Sequence, residues 1–255
     1  MLRFARRFAA CLAPLRESRC ASCATPVPLQ APDTPFGATL CPSCAAALAR
    51  RTAGYCTRCG NLFAQADAPP APCGNCLAAP RPWNRFFFHG AYQGLLRDLI
   101  LRFKNGHELA LGNLLGRLLA AHPDIPGPPD TVSPYDAIVP MPLHPRRLRE
   151  RGFNQALEAA LPLAAKCGAP VMPQLLGRTG YTRPQAGLSL NERKANVRGL
   201  FAAKGAAGMR LLLADDIATT CASLESAADA LLRAGASSVD VAVIARTPEA
   251  RTLSP

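Results

Sequence analysis

Two short apolar runs near the end of the chain enclose a stretch of amphipathic sequence. The first run covers residues 211–214 and the second covers residues 239–245. Between them, apolar side chains recur at helical spacing, at Leu224, Ala227, Ala228, Leu231 and Leu232, until Gly235 interrupts the pattern. A strand, a crossover helix and a parallel strand need about this length of chain, so we predict a βαβ unit of roughly 35 residues.

The residues upstream show the same two kinds of pattern. Short apolar segments at residues 86–88, at 136–140 and near Val171 predict strands. A helical apolar stripe is formed by Leu95, Leu96, Leu99, Ile100 and Phe103. Helices are also predicted over residues 108–121 and 154–166, and a short polar helix over residues 191–198. Strands that alternate with helices in this way predict an α/β fold with a parallel sheet and flanking helices.

Two neighbouring acids, Asp215 and Asp216, follow the first apolar run directly, and the hydroxyl residues Thr219, Thr220 and Ser223 come next. In an open α/β sheet, ligands bind beyond the carboxyl ends of the strands, which is where this loop is expected. Backbone amides and hydroxyls at a helix start favour a phosphate, whereas carboxylates favour neutral hydroxyl groups. The combination predicts a sugar phosphate as ligand. The alternative is that the acids cap an ordinary helix.

Eight of the eleven cysteines form four Cys-x-x-Cys pairs. They are Cys20 and Cys23, Cys41 and Cys44, Cys56 and Cys59, and Cys73 and Cys76. Two such pairs complete a tetrahedral four-thiolate site, so the pattern predicts one or two structural zinc ions. Sequential and crossed pairings both fit the spacing, and redox-active pairs are the alternative. Because residues 18–80 contain few large apolar side chains, this segment is expected to need metal in order to fold.

The chain has 255 residues and a formal charge of +12, which arginine supplies almost entirely. Such an excess favours polyanions, either nucleic acid or phosphorylated ligands, and it also fits a general surface bias. No apolar run approaches the ~18 residues of a membrane span. Residues 1–17 predict a short basic amphipathic helix, not a signal peptide, and the zinc-type cysteine pattern predicts a cytoplasmic protein.

Two basic segments are candidates for phosphate binding. Lys104 follows the first helical stripe, where it either reaches a ligand phosphate or interacts with a helix dipole. Four arginines precede Gly152, and they either clamp a diphosphate or form a solvated basic surface; they are Arg146, Arg147, Arg149 and Arg151. The segment 178–198 is rich in glycine and polar residues, which predicts a mobile lid.

The loop from Asp215 to Ser223 resembles the phosphoribosyl pyrophosphate (PRPP) motif of type I phosphoribosyltransferases, in which two acids precede Thr-Thr-Gly-x-Thr. Ser223 keeps the hydroxyl of the final threonine, but Cys221 stands where that family has glycine. If the position needs a positive φ or a close approach to phosphate, a Cβ atom costs roughly 1–2 kcal/mol and crowds the ligand. This departure puts full transferase activity in question.

Taken together, the motifs resemble the ComF family of competence-associated proteins over residues 18–247. Besides the cysteine pairs and the acidic loop, the matching pieces are Phe103-Lys104, Val139-Pro-x-Pro142, Arg151-Gly-Phe-Asn-Gln155, and Thr182-x-x-Gln185 with Leu188, Arg193, Asn196 and Phe201. The resemblance implies a type I phosphoribosyltransferase-like domain over residues 85–255. A small four-cysteine zinc-binding module over residues 18–80 precedes it.

The resemblance also implies roles for individual residues. Asp215 and Asp216 are expected to hold the ribose hydroxyls, while Mg²⁺ binds chiefly to phosphate oxygens of PRPP. The 5′-phosphate is expected to bind the hydroxyls of Thr219, Thr220 and Ser223 and the backbone amides through Cys221 and Ala222.

The pyrophosphate is expected to face the segment that runs from Arg146 through Arg151 to Gly152. Closure of the lid would place Arg178 or Arg193 near this leaving group. No nucleobase-recognition pattern is visible, so no acceptor is predicted.

Three functions remain open from the sequence. The protein is an active phosphoribosyltransferase on an unidentified acceptor, or it binds PRPP or a nucleotide without turnover as a regulator, which Cys221 favours. Alternatively, it binds single-stranded DNA and works with DNA-uptake proteins, as the family resemblance and the basic charge suggest. Few aromatic residues lie near the arginines, whereas stacking usually supplies much of the affinity for single strands.

Overall fold

A computed structural model of the chain describes residues 17–28, 40–106, 108–127, 133–179 and 199–248. Residues 1–16 of the predicted N-terminal helix and the predicted polar helix over 191–198 lie outside these ranges. The chain forms two compact units, residues 1–49 and residues 50–255. The second group of cysteine pairs therefore belongs to the same unit as the sheet. The division into a zinc module and a phosphoribosyltransferase-like domain near residue 80 stays a prediction.

The smaller unit carries its cysteines on a hairpin and at the start of a helix. Strand β1 (Glu17–Arg19) pairs antiparallel with β2 (Pro26–Pro28), and Cys20 and Cys23 lie in the turn between them. Helix α1 (Pro42–Ala47) begins directly after Cys41, and Cys44 is buried within it. The turn is closed by backbone hydrogen bonds of 2.8 Å between its two ends.

The larger unit alternates helices and strands. Its helices are α2 (Gly74–Ala78), α3 (Gly94–Asn105), α4 (Ala110–Ala120), α5 (Pro145–Arg151), α6 (Gln155–Cys167) and α7 (Ala222–Arg233). Its strands are β3 (Phe86–Ala91), β4 (Ala137–Pro140), β5 (Leu176–Arg178), β6 (Phe201–Ala203), β7 (Arg210–Ala218) and β8 (Ser238–Arg246). A 3₁₀ turn spans Pro173–Leu175, and β5 and β6 form a small antiparallel pair.

Four strands form one parallel sheet in the order β3, β8, β7, β4. Val241 of β8 lies opposite Phe86 of β3 and Leu213 of β7, and Leu213 lies opposite Val139 of β4. Because β7 and β8 are adjacent and parallel and α7 connects them, they are the predicted βαβ unit. β8 is buried from its second residue to Arg246, as expected for a strand with a neighbour on each edge and cover on both faces.

One face of the sheet packs against the second group of cysteines. Side chains alternate between the faces of a strand, so Phe86 and Phe88 point to the same side. They share one buried apolar cluster with Cys56, Cys59 and side chains of α7. Trp83 belongs to this cluster, and its Nε1 donates to a backbone carbonyl of the cysteine turn at 2.7 Å. The thiols of this group are therefore part of the core of the larger unit.

Two helices that approach each other closely cover the opposite face. α4 contacts β3 and β8, whereas α6 contacts β4 and β7. A Cβ atom on Gly116 of α4 would lie 2.7 Å from Cγ of Pro162 in α6, so only glycine fits at this crossing. Leu115 and Leu118 of α4 and Leu163 of α6 are fully buried.

This architecture confirms the predicted fold class, a phosphoribosyltransferase-like parallel sheet with flanking helices, which four-cysteine groups precede in the sequence. Two details differ from the sequence pattern. The arginine-rich segment forms helix α5, which has no buried residue and so lacks the apolar stripe that marks a helix. Val171 makes only an isolated parallel bridge to Ile138. Within the described ranges, no helix has the length and apolar character needed to cross a membrane.

The packing of the cysteine turn on β3 is tested by exchanging two glycines for alanine. Gly60 has a φ of +67°, and a Cβ atom there would lie 2.6 Å from the ring of Phe86, so we expect Gly60→Ala to destabilise the zinc-loaded protein by about 2–4 kcal/mol. Gly74 also follows a cysteine of this group, but a Cβ atom there meets nothing within 4 Å. Gly74→Ala should be neutral or slightly stabilising. Chemical denaturation measures both, and equal losses in the two variants would contradict the packing described.

Candidate functional site

The two acids lie within β7, not after it as the sequence pattern suggested. β7 continues to Ala218, because β8 pairs with it along its whole length and Asp215 lies opposite Val243. On the other edge, β4 ends with Pro140 opposite Ala214. Asp215 and Asp216 therefore extend past the end of β4.

A cavity of about 190 Å³ opens at this edge of the sheet. Among the residues that the structure describes, its charged lining consists of the two acids and four cations, namely Lys104, Arg147, Arg151 and Arg178. Ser223 and Gln155 also line it. Lys104 comes from the last turn of α3, Gln155 from the start of α6 and Ser223 from α7, so three helices direct their ends to one place.

Lys104 forms an ion pair with Asp216. Its Nζ lies 2.7 Å from Oδ2 of the carboxylate, and the side chains are only 18% and 13% exposed. Solvent screens such a pair much less than it screens a surface pair. The lysine that the sequence assigned either to a phosphate or to a helix dipole thus neutralises one of the two acids.

Asp215 has an unusual acidity. Burial raises the pKa of its carboxyl to about 8, and the charge of Asp216 acts in the same direction. The backbone amide of Asp216, which donates to Asp215 Oδ1 at 2.9 Å, opposes this shift, as do Lys104 and Arg178. Burial and the charge of neighbouring Arg147 lower the pKa of Arg178. Shifts of pKa that like charges and desolvation cause are typical of binding sites.

Cys221 occupies a backbone position suited to glycine. Its φ is +64° and its ψ is −1°, and it directly precedes α7, whose first hydrogen bond runs from Glu225 N to Cys221 O at 2.8 Å. Of the two conditions considered from the sequence, a positive φ or a close approach to phosphate, the structure has the positive φ. The side chain is buried, and its Sγ lies 3.7 Å from the carbonyl oxygen of Cys59, so it faces the cysteine turn and is not among the residues that line the cavity.

Seven of the site candidates singled out from the sequence line the cavity, namely Lys104, Arg147, Arg151, Arg178, Asp215, Asp216 and Ser223. The other described candidates do not line it. Thr219 is exposed, Thr220 is half-buried and Ala222 is buried at the start of α7. Arg146 pairs with Glu150 at 2.9 Å on the exposed side of α5, and Gly152 ends that helix with a φ of +77°. Arg193 lies outside the described residues.

The most important residue that the sequence analysis missed is Arg246, the last residue of β8. It is only 2% exposed. Its Nε donates to the carbonyl oxygen of Cys59 at 3.0 Å, and its Nη1 donates to those of Ala218, at 3.2 Å, and of Thr219. The guanidinium thus joins the cysteine turn to the loop after β7. The available signal was an arginine directly after the apolar residues 241–245, since buried arginine is rare unless it is paired.

A second arginine makes a parallel connection. Arg81 Nε donates to Cys76 Sγ at 3.4 Å, and its Nη1 forms an ion pair with Glu225 in the first turn of α7. The cysteine group is therefore joined to the loop and to α7 through side chains of Arg81, Cys221 and Arg246.

The eight paired cysteines form two sequential clusters, which settles the pairing that spacing left open. One contains Cys20, Cys23, Cys41 and Cys44, and the other contains Cys56, Cys59, Cys73 and Cys76. In each, all four Sγ atoms lie within 4.8 Å of one another. Tetrahedral zinc with Zn–S bonds of about 2.3 Å places sulfurs about 3.8 Å apart, and the observed separations include 3.6 Å for Cys23–Cys41 and 3.9 Å for Cys59–Cys73. Both clusters fit structural zinc.

Several curated proteins are similar to most of the chain. It is 32% identical over 209 residues to DNA utilization protein YhgH of Salmonella typhi, covering 82% of this chain and 90% of that protein. The protein of the same name from Escherichia coli (strain K12) is 31% identical with the same coverage. Competence protein F of Haemophilus influenzae is 30% identical over 199 residues, covering 75% of this chain and 84% of that protein. No family model matches the chain.

The backbone strain at position 221 is tested by two substitutions that both remove the thiol. Cys221→Ala keeps a Cβ atom at positive φ, whereas Cys221→Gly removes it. We expect the glycine variant to be about 1 kcal/mol more stable than the alanine variant, because relief of strain exceeds the entropy that glycine adds to the unfolded chain. Urea denaturation of the zinc-loaded variants measures the difference. An alanine variant as stable as the glycine variant would contradict the strained geometry.

Proposed function

The chain belongs to the ComF family of competence-associated proteins, and from this premise we propose that it binds PRPP with Mg²⁺ in the cavity at the carboxyl edge of its sheet. The observation that carries the proposal is the combination of Asp215 and Asp216 with four cations in one cavity. A ligand that offers hydroxyls to carboxylates and phosphates to cations matches both halves of this lining.

The charges of the cavity support an anionic ligand. Four cations face two acids among the described lining residues, so this part of the lining carries a net positive charge. A positive cavity with low-dielectric walls concentrates anions and strengthens their binding. The acids would then be reserved for the ribose hydroxyls, which donate hydrogen bonds and do not repel a carboxylate.

Individual residues take the following roles in the proposal. Asp215 and Asp216 hold the ribose hydroxyls, and Lys104 moves between Asp216 and a ligand phosphate. The 5′-phosphate binds at the start of α7, where Ser223 lines the cavity and Cys221 keeps the turn in the left-handed conformation of a glycine. The pyrophosphate binds among Arg147, Arg151 and Arg178, which are already close to one another in the lining.

Mg²⁺ would neutralise the pyrophosphate and bind mainly to its oxygens. The described lining fits this role, because it offers carboxylate oxygens but no dedicated cage of protein ligands. Two zinc ions, one in each cysteine cluster, complete the proposed cofactors.

Transfer of the phosphoribosyl group to an acceptor is the further part of this proposal. The cationic sugar of the transition state would be stabilised by the two carboxylates and the departing pyrophosphate by the arginines. Cys221 is compatible with turnover, because its side chain faces Cys59 and not the cavity. Arg193 and the segment 178–198, both assigned to a closing lid from the sequence, remain part of the proposal.

A role in DNA uptake is supported by the names of the relatives and by one surface feature. Helix α5 exposes Arg146, Arg147 and Arg149 and buries none of its residues. Single-stranded DNA is therefore the second candidate ligand, with DNA-uptake proteins as partners. A salt titration distinguishes DNA from PRPP as ligand, since DNA binding through phosphates weakens steeply as the salt concentration rises. Arg149→Ala is a second test: it leaves the cavity lining intact, so it should lower the affinity for DNA only.

The proposal is tested by titrating the protein calorimetrically with PRPP and Mg²⁺. Asp216→Ala removes a carboxylate that only the ribose needs, so we expect PRPP to bind at least about tenfold more weakly, while inorganic pyrophosphate binds as well as before or better. Asp136→Ala is the matched control, because Asp136 pairs with Arg210 at the amino-terminal ends of β4 and β7, whereas the acids of the cavity lie near the carboxyl ends. Unchanged PRPP affinity in Asp216→Ala, or no binding to the wild-type protein, would contradict the proposal.

A further inference from the structure

Gln155 is a buried polar residue in the cavity; it ends the Arg151-Gly-Phe-Asn-Gln155 motif, but neither the sequence analysis nor the proposed function gives it a role. It is the first residue of α6, it lines the cavity, and it is only 2% exposed. The preceding residue already caps the helix, since Asn154 Oδ1 accepts from Ala156 N at 3.0 Å and its Nδ2 donates to Met141 O at 3.1 Å. Gln155 is thus not needed to begin the helix.

The orientation of the Gln155 side-chain amide follows from the hydrogen bond that it accepts from Arg151. Arg151 Nη1 lies 3.2 Å from Oε1. A guanidinium can only donate, so the oxygen of the amide must face Arg151 and the nitrogen must face the other way. Within the part of the chain that the structure describes, this buried Nε2 has no acceptor.

A buried donor without an acceptor destabilises a folded protein, and such groups are rare in proteins. One that lines a cavity indicates that a ligand supplies the acceptor. The surroundings specify its chemistry. Arg147, Arg151 and Arg178 line the same cavity and can only donate hydrogen bonds, so a ligand group that binds beside them and Nε2 must accept several. A diphosphate offers several acceptor oxygens and no donor, whereas the ribose hydroxyls, which also donate, fit the carboxylates of Asp215 and Asp216.

We propose that Gln155 is a ligand-binding residue whose Nε2 donates to an oxygen of a bound diphosphate while its Oε1 holds Arg151 in place. The inference rests on the proposed function for the assignment of the diphosphate to PRPP. The amide is neutral, so it adds a directed hydrogen bond to the diphosphate without adding charge. Its direction is fixed because Arg151 holds the oxygen end of this planar group, which sets the angle of the N–H bonds. It therefore helps to select how the diphosphate lies among the arginines.

The test compares Gln155→Met and Gln155→Glu with the full-length wild-type protein. Methionine keeps the size of the side chain and removes both the Nε2 donor and the Oε1 acceptor of Arg151, whereas glutamate keeps the shape and an acceptor for Arg151 but places negative charge beside the ligand. Magnesium pyrophosphate and magnesium PRPP are titrated calorimetrically, and the thermal midpoint is measured with and without each of them. We expect Gln155→Met to bind both at least about tenfold more weakly and Gln155→Glu to bind them more weakly still.

The stability of the ligand-free protein separates a ligand-binding role from a structural one. Gln155→Met removes the unpaired buried donor but also the Oε1 acceptor of Arg151, and these two changes oppose each other. The thermal midpoint of the ligand-free variant should therefore stay close to that of the wild type, and only the rise on adding ligand should shrink. A lowered midpoint with unchanged affinity would mean that another part of the chain satisfies Nε2, and would overturn the inference.

The two ligands separate failure of this inference from failure of the proposed function. If the wild type binds PRPP and Gln155→Met binds it equally well, the inference is wrong and the proposed function stands. If the wild type binds pyrophosphate but not PRPP, and Gln155→Met weakens that binding, the proposed function fails and the inference stands. Binding of neither ligand to the wild type would overturn both.

Discussion

The buried guanidinium of Arg246 is the interaction on which the site depends. A charge buried at the end of a strand destabilises the fold unless hydrogen bonds compensate it, and such bonds are stronger away from water. Here the backbone carbonyl oxygens of Cys59, Ala218 and Thr219 accept hydrogen bonds from the guanidinium. Carbonyl groups of a turn and of a loop cannot pair with each other, since both only accept. An arginine between them satisfies both sets and fixes the distance from the cysteine turn to the loop that begins α7. The loop in turn sets where Ser223 and the acids meet a ligand.

This arrangement gives the second cysteine cluster a place in the site. Its thiols share a core with Phe86 and Phe88, its carbonyl at Cys59 accepts from Arg246, and Cys76 accepts from Arg81. Metal bound there would therefore stabilise the sheet and the loop together, unlike a zinc module joined by a flexible linker. The same contacts explain how Cys221 replaces a glycine. Its backbone adopts the left-handed conformation, and the buried thiol packs toward Cys59, so the packing of the side chain offsets part of the strain.

Features with a local cause could be predicted from the sequence. The βαβ unit around α7, the four-cysteine groups and the positive φ at Cys221 follow from periodicity, spacing and a motif comparison. Features that depend on distant contacts could not. Helix α5 lacks an apolar stripe, β7 extends past the acids only because β8 pairs with it, and Arg246 meets Cys59 from 187 residues away. The orphaned amide of Gln155 likewise becomes visible only once Arg151 fixes its orientation.

The most direct measurement is hydrogen exchange of residues 217–225 in Cys73→Ser, which removes one ligand of the second cluster, compared with Cys23→Ser, which removes one ligand of the first. Zinc content is measured alongside. If the second cluster holds the loop through Arg246, exchange there should quicken at least about tenfold in Cys73→Ser and stay at the wild-type rate in Cys23→Ser, while α4 on the opposite face keeps its protection. Loss of zinc from Cys73→Ser with unchanged exchange in residues 217–225 would contradict the account.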